Sequence, residues 1–187
     1  MAACWTRRIN SRARWIASEV RPLCCYVWLL IYIYLKVMFN PREELADLES
    51  KMDIARDCGC VRLLEIYSSK LINEVGWLFS QLPMHGINQS IKLHKIDEGE
   101  AKEQFVYLMT HDMAHSIDLM PMKMAEFFWG EILDRIIEPA EFLTNTKGMH
   151  NFNWAGSYDP ATSATFDSCL IIKNSRKAVI VVIEDED

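Results

Sequence analysis

The residues of this chain best suited to chemistry are His111-Asp112-Met113-Ala114-His115. Histidines at i and i+4 share one face of a helix, and two imidazoles at that spacing can seat a single zinc ion. The segment is therefore expected on a helix, with His111 and His115 as metal ligands. Asp112 would either orient a ligand or act on a bound water. An ordinary helix face is the competing reading, because histidine pairs at this spacing also occur on plain surfaces.

In an H-E-x-x-H helix the acid after the first histidine is a glutamate that polarises the attacking water. Asp112 is one methylene shorter, which limits its reach to such a water. A third ligand would have to come from Asp118, Glu126 or the distant His150, none at a diagnostic spacing. Metal binding, or metal-dependent hydrolysis, is accordingly the alternative function. Ser116 also reads as the start of a new turn.

Other catalytic patterns are weaker. Ser168 and Cys169 could be nucleophiles, but Cys169 lies in an apolar strand where a thiolate is costly. The 7 glycines are scattered singly, so there is neither a serine elbow nor a phosphate-cradling loop. Glu43-Glu44 and Glu184-Asp185-Glu186-Asp187 read as solvated carboxylates to which no acid and base roles attach. Cys58-Gly59-Cys60 is one residue short of C-x-x-C and lacks a second pair. With Cys4, Cys24 and Cys25 in the N-terminal segment, the body keeps three cysteines, an odd number in a chain too long to need disulfides. That points to a reduced, cytoplasmic-type protein.

Two features favour binding over catalysis. The stretch from Asn145 to Pro160 has no clear period and carries His150, Phe152, Trp154 and Tyr158. Aromatic side chains of that kind anchor interfaces, although they could equally cap the core beneath the loop. The terminal acids Glu184 to Asp187 could meet a basic partner, or simply solubilise the end.

These residues need elements to hold them. From Asn40 as N-cap and Pro41 as first helical residue, Leu45, Leu48, Met52 and Ala55 form one stripe, with Gly59 ending the helix. Leu64, Tyr67, Leu71, Val75, Leu78 and Leu82 predict a second helix, stopped by Pro83. A short strand is expected at 90–96. A third helix opens at Asp97 and carries Phe105, Leu108, Met109 and Met113. A fourth opens at Pro121 and buries Met124, Phe127, Phe128, Leu133, Ile136 and Ile137, ending at Glu138-Pro139. Thr165–Ile172 and Ala178–Ile183 predict two strands joined by a polar turn, the second apolar enough to be buried on both faces. The expected fold is α+β: about four helices, then a C-terminal β-hairpin packed on them, with the extra strand at 90–96.

Charge divides the chain. Residues 1–37 hold six bases and the single acid Glu19, which leaves 14 bases and 25 acids for residues 38–187. The net charge of −6 thus splits into +5 and −11. An acidic body repels phosphate backbones, which excludes sequence-independent nucleic-acid binding and suits a basic protein partner.

The N-terminal apolar run Leu23–Leu35, extended to Phe39 if Lys36 snorkels, falls short of the roughly 20 residues of a spanning helix. It reads as a short membrane anchor through residues 23–39, as a buried or interfacial helix, or as an extension ahead of a natural start at Met38. The expected organisation is an N-terminal segment, 1–37, and one acidic domain, 38–187. The expected function is a small acidic protein-binding module, an inhibitor or an antitoxin- or immunity-like neutraliser of a basic partner.

Overall fold

The computed structural model describes residues 41–68, 75–136, 140–146 and 159–185. The apolar run at 23–39 lies outside them. Among the described residues no helix is long and apolar enough to cross a membrane.

Helix α1 spans Pro41–Arg56, with Glu43 and Glu44 in its first turn complementing the helix dipole. It is Asp57, at φ +53°, that takes the left-handed position just past its end, two residues before Gly59. The chain then enters β1, Cys60–Tyr67. Helix α2 is Val75–Gln81, continued by a 3₁₀ turn at Leu82–His85. Next come β2 at His94–Ile96, α3 at Glu98–Thr110, α4 at Met122–Leu133 and β3 at Glu141–Thr144. The last two strands are β4, Phe166–Lys173, and β5, Lys177–Asp185.

The five strands make one antiparallel sheet in the order β1-β5-β4-β3-β2. This overturns the expected C-terminal hairpin with one stray strand. The protein is α+β, but its strands are spread along the chain. The β4–β5 hairpin is the middle of a sheet, flanked by β1 on one side and by β3 and β2 on the other.

The expected second helix is overturned at Leu64 to Tyr67, for a physical reason, while Leu71 lies outside the described residues. In Cys60–Tyr67, Val61 and Leu63 alternate with Arg62 and Leu64, which serves a strand as well as the i, i+3, i+4 spacing serves a helix. Pairing with β5 over the full register, from Cys60↔Glu184 to Tyr67↔Lys177, decides the matter.

Both faces of the sheet are covered. One carries Val61, Leu63, Leu170, Ile172, Val179, Val181 and Ile183 against α1, α3 and α4. The other carries Ile66, Cys169, Ile171, Ile180 and Val182 against Leu78, Leu82, Ile87 and Ile91. This is why β5 is apolar along its length. The outer edge of β1 is partly capped by α1: Val61 N donates to Asp53 Oδ1 at 2.8 Å and Leu63 N to Glu49 Oε2 at 2.6 Å. Such carboxylates satisfy edge amides that would otherwise recruit another strand.

Of the side chains expected to be buried by α4, Phe128 is buried and Leu133 and Ile136 pack against the core, but Met124 and Phe127 are not buried, and Ile137 lies outside the described residues. Ala125, Phe128, Trp129 and Ile132 form its core stripe, while Met124 and Phe127 are exposed. Positions i, i+3, i+4 and i+7 from Ala125 make a continuous face, which the larger side chains at 124 and 127 do not share.

Candidate functional site

Helix α3 opens with a complete capping box: the Asp97 side chain accepts from Glu100 N, and the Glu100 side chain accepts from Asp97 N. It stops at Thr110, so His111 to His115 are not helical and the i, i+4 face does not exist. His111 is extended, with φ −132° and ψ 143°. It forms an antiparallel bridge with Asp118, flanked by Leu119 N to Thr110 O at 2.8 Å and Asp112 N to Ile117 O at 3.0 Å. The segment is a tight hairpin whose reversal is completed by Ser116 at φ +55°. Ser116 was the sequence hint of that turn.

The two histidines therefore meet different carboxylates. His111 Nε2 lies 3.2 Å from Asp118 Oδ1, and its ring stacks on Tyr107 with centroids 4.5 Å apart. His115 Nδ1 lies 3.1 Å from Asp112 Oδ2. Asp112 is buried, and it also accepts from the backbone N–H groups of Ala114 at 3.2 Å and His115 at 2.7 Å. Burial raises its pKa, but those backbone bonds and the His115 side chain outweigh burial and hold it below the ordinary carboxylate range.

Beneath the hairpin, Arg56 is fully buried and ties four elements together. It donates to Leu108 O at 2.9 Å, to His111 O at 3.3 Å, to Cys58 O, and to both oxygens of Asp185. Asp185 Oδ2 also accepts from Met113 N at 2.8 Å. Cys58 Sγ, Asp112 and Asp185 offer ligand atoms all within 4.8 Å of one another. A cation already occupies this cluster, however, since the Arg56 guanidinium holds both Asp185 oxygens. Burial and the charges of Asp185 and Asp112 push the Cys58 thiol up, away from thiolate chemistry. Nothing local in the sequence marked Arg56, which at a helix C-terminus reads as an ordinary dipole-complementing cation.

The terminal acids are partly absorbed into the fold. Glu184 and Asp185 are the last residues of β5; Glu184 pairs with Arg62 at 3.0 Å and Asp185 is fully buried. Glu186 and Asp187 lie outside the described residues, as do His150, Phe152, Trp154 and Tyr158. The residues bracketing that aromatic stretch are described, and a buried polar cluster joins them. Asn145 donates to Asp159 O at 2.9 Å and to Asp167 Oδ1 at 3.0 Å, and accepts from Cys169 N at 2.8 Å. Asp167, also fully buried, accepts from Ala161 N at 2.9 Å and Thr162 N at 2.8 Å. Cys169 is buried within the sheet, and burial first, then the charge of Asp167, pushes its thiol up to about 12. That is no nucleophile.

One surface was missed by the sequence reading. Ile117, Met122, Met124 and Phe127 are exposed large apolar side chains within the single stretch 117–127. Beside them an open recess of about 500 Å³ is lined by His111, Asp118, Leu119, Met120, Pro121 and Met122 among others. The signal was present in the α4 sequence, where the stripe beginning at Ala125 leaves Met124 and Phe127 on the outside.

Compared with known proteins, the chain matches no family model, no curated sequence and no solved structure.

Proposed function

We propose that the acidic domain is a protein-binding module that covers a basic partner surface, as an inhibitor or an antitoxin- or immunity-like neutraliser does. The observation that carries this reading is the set Ile117, Met122, Met124 and Phe127, 42–63 % exposed, on a body of net charge −11. Exposed apolar groups gathered in one stretch mark interaction surfaces, and methionine adapts its shape to a partner. Acidic surroundings would speed the encounter with a basic partner. Phe152, Trp154 and Tyr158 are proposed as further anchors on residue type, supported by the Asn145–Asp159 bond that joins the two ends of their stretch. Of the terminal acids only Glu186 and Asp187 remain in the proposal, because Asp185 is buried and Glu184 is engaged by Arg62.

The same reading places the domain in the cytoplasm, supported by Cys58, Cys60 and Cys169 being free thiols.

The test uses a synthetic amphipathic helix of lysine and leucine as a stand-in for a basic partner, with binding followed by fluorescence anisotropy. Binding should weaken steeply from low to high salt and fall at least tenfold in a Met124→Ser/Phe127→Ser variant. Binding of equal strength to that variant would show that the α4 surface is not the docking face.

A further inference from the structure

We infer that the α4 surface takes, as its basic partner, the N-terminal segment of a second copy of this chain, through residues 5–21. The inference rests on that surface being a docking face, as proposed above, and names what docks. Its first ground is charge. Residues 117–134 carry Asp118, Glu126, Glu131 and Asp134 against Lys123, a net of −3 around the exposed apolar side chains. Asp118 is 93 % exposed, and Glu126 meets Lys102 in an exposed pair of the kind that adds little. Residues 1–37 have the opposite sign, with six bases and one acid, or +5.

The second ground is pattern. Trp5, Ile9, Ala13, Ile16 and Val20 follow one another at steps of four, four, three and four. Placed on a helix, they share one face, and Arg7, Arg14 and Arg21, seven apart, share the opposite one. Arg8 and Arg12 border the apolar face. An amphipathic helix of this kind binds by laying its apolar face on an apolar surface, with its bordering charges against the rim. Here the surface offers Met124 and Phe127, and the rim offers acids. The open recess of about 500 Å³ beside Met122 has room for a large aromatic anchor, and Trp5 is of the residue type that fills such pockets. Residues 5–20 on a helix would run about 22 Å and the 12 residues of α4 about 18 Å, so the two match in length.

Between copies the contact also offsets a repulsion. Two bodies of net −11 stay apart unless a segment of +5 stands between them.

The experiment is sedimentation of the full chain over a range of concentration and salt. Self-association is expected, weakening at least tenfold from low to high salt. Two variants should each lose it: Met124→Ser/Phe127→Ser, which removes the face, and Arg8→Glu/Arg12→Glu/Ile16→Ser, which removes the segment. Mixed in equal amounts, they should form a one-to-one heterodimer, because one keeps the segment and the other keeps the face. The segment variant, its face left open, should also bind the lysine–leucine helix more tightly than the wild type does. Self-association that survives in either variant, or a mixture that does not associate, would overturn the inference. So would a wild-type chain that stays monomeric; if that monomer binds vesicles of phosphatidylcholine and phosphatidylserine, the segment serves a membrane surface instead. In any of these cases, binding of the lysine–leucine helix to the segment variant would leave α4 a docking face and remove its N-terminal occupant alone.

Discussion

Arg56 and Asp185 meet as a two-pronged ion pair at the centre of the protein, Nη1 to Oδ1 at 2.5 Å and Nη2 to Oδ2 at 2.6 Å, with neither side chain exposed. It joins the end of α1 to the end of β5 and, through the remaining Arg56 donors, to the end of α3 and the 111–118 hairpin. A buried pair of this kind adds little net stability over an apolar replacement, but breaking it strands a charge. Arg56→Met or Asp185→Ala should each destabilise the protein by about 3–5 kcal/mol in urea unfolding. The double variant Arg56→Met/Asp185→Leu should recover much of the loss. Glu184→Ala, which breaks only a partly exposed pair, should cost about 1 kcal/mol or less.

Gly59 lies against that pair. Its φ is +64°, and a Cβ there would collide with Asp185 Oδ1 and Glu184 O. Backbone and a buried carboxylate cannot move aside as a flexible side chain would. Gly59→Ala should therefore cost more than about 2 kcal/mol. Gly130, whose added Cβ would meet nothing within 4 Å, is the control: Gly130→Ala in helix α4 should stabilise by about 0.5–1 kcal/mol. Thermal unfolding of the two variants checks both signs.

Acid and alkali should act through one cluster. Glu65 is buried with Arg135 and Lys177 each at 2.9 Å and the Tyr67 hydroxyl at 2.5 Å. Burial opposes its ionisation, but bonds from Tyr67, Lys177 and Arg135 outweigh burial and lower its pKa. A depressed carboxylate contributes stability above its unfolded pKa of roughly 4.3 and loses it as pH falls through the lower folded value. Tyr67, largely exposed, shifts the other way, to about 12, through partial desolvation and then its bond to Glu65. Its contribution is complete below pH about 10 and disappears as pH rises through the folded value. Absorbance titration should show one tyrosine ionising near 12, and Glu65→Gln should bring that midpoint down and flatten the acid limb of stability against pH. An unmoved midpoint in Glu65→Gln would break the coupling.

The Asn145–Asp167 cluster should be structural. Asn145→Ala removes partners from Asp159 O, Asp167 and Cys169 N, all at a buried position. It should cost about 2–3 kcal/mol, since each buried group left without a partner costs about 1–3 kcal/mol. Hydrogen exchange should localise the effect to β4 and its neighbours, with the Cys169 amide losing protection first. Uniform loss of protection across the sheet would place the effect elsewhere.

The α4 surface separates two phenylalanines that adjoin in sequence. Phe127→Ser should change stability by no more than about 0.5 kcal/mol, because its side chain is mostly exposed. Phe128→Ala should cost about 3–5 kcal/mol, because Phe128 fills the core. Denaturant midpoints of the two variants decide it.

Local signals carried a defined part of this protein. Asn40-Pro41 and the stripe from Leu45 placed α1; Asp97 to Glu100 placed the start of α3; apolar runs around a polar turn placed β4 and β5. Caps, turn residues and long one-sided stripes are short-range physics, readable within a dozen residues. The double burial of β5 and the inertness of Cys169 were legible for the same reason. What lay beyond the sequence were pairings between distant residues. Cys60–Tyr67 suits helix and strand alike until β5 offers it a ladder. Glu141–Thr144 is too short to declare itself without β4 beside it. The end of α3 at Thr110 depends on a chain reversal that sets His111 against Asp118, and so decides which acid each histidine meets. Asp185 looked like one of four solvated acids because a carboxylate's environment is set by what packs on it. Only the tertiary structure brings Arg56 from 129 residues away to neutralise it, turning an expected contact for a partner into the centre of the fold.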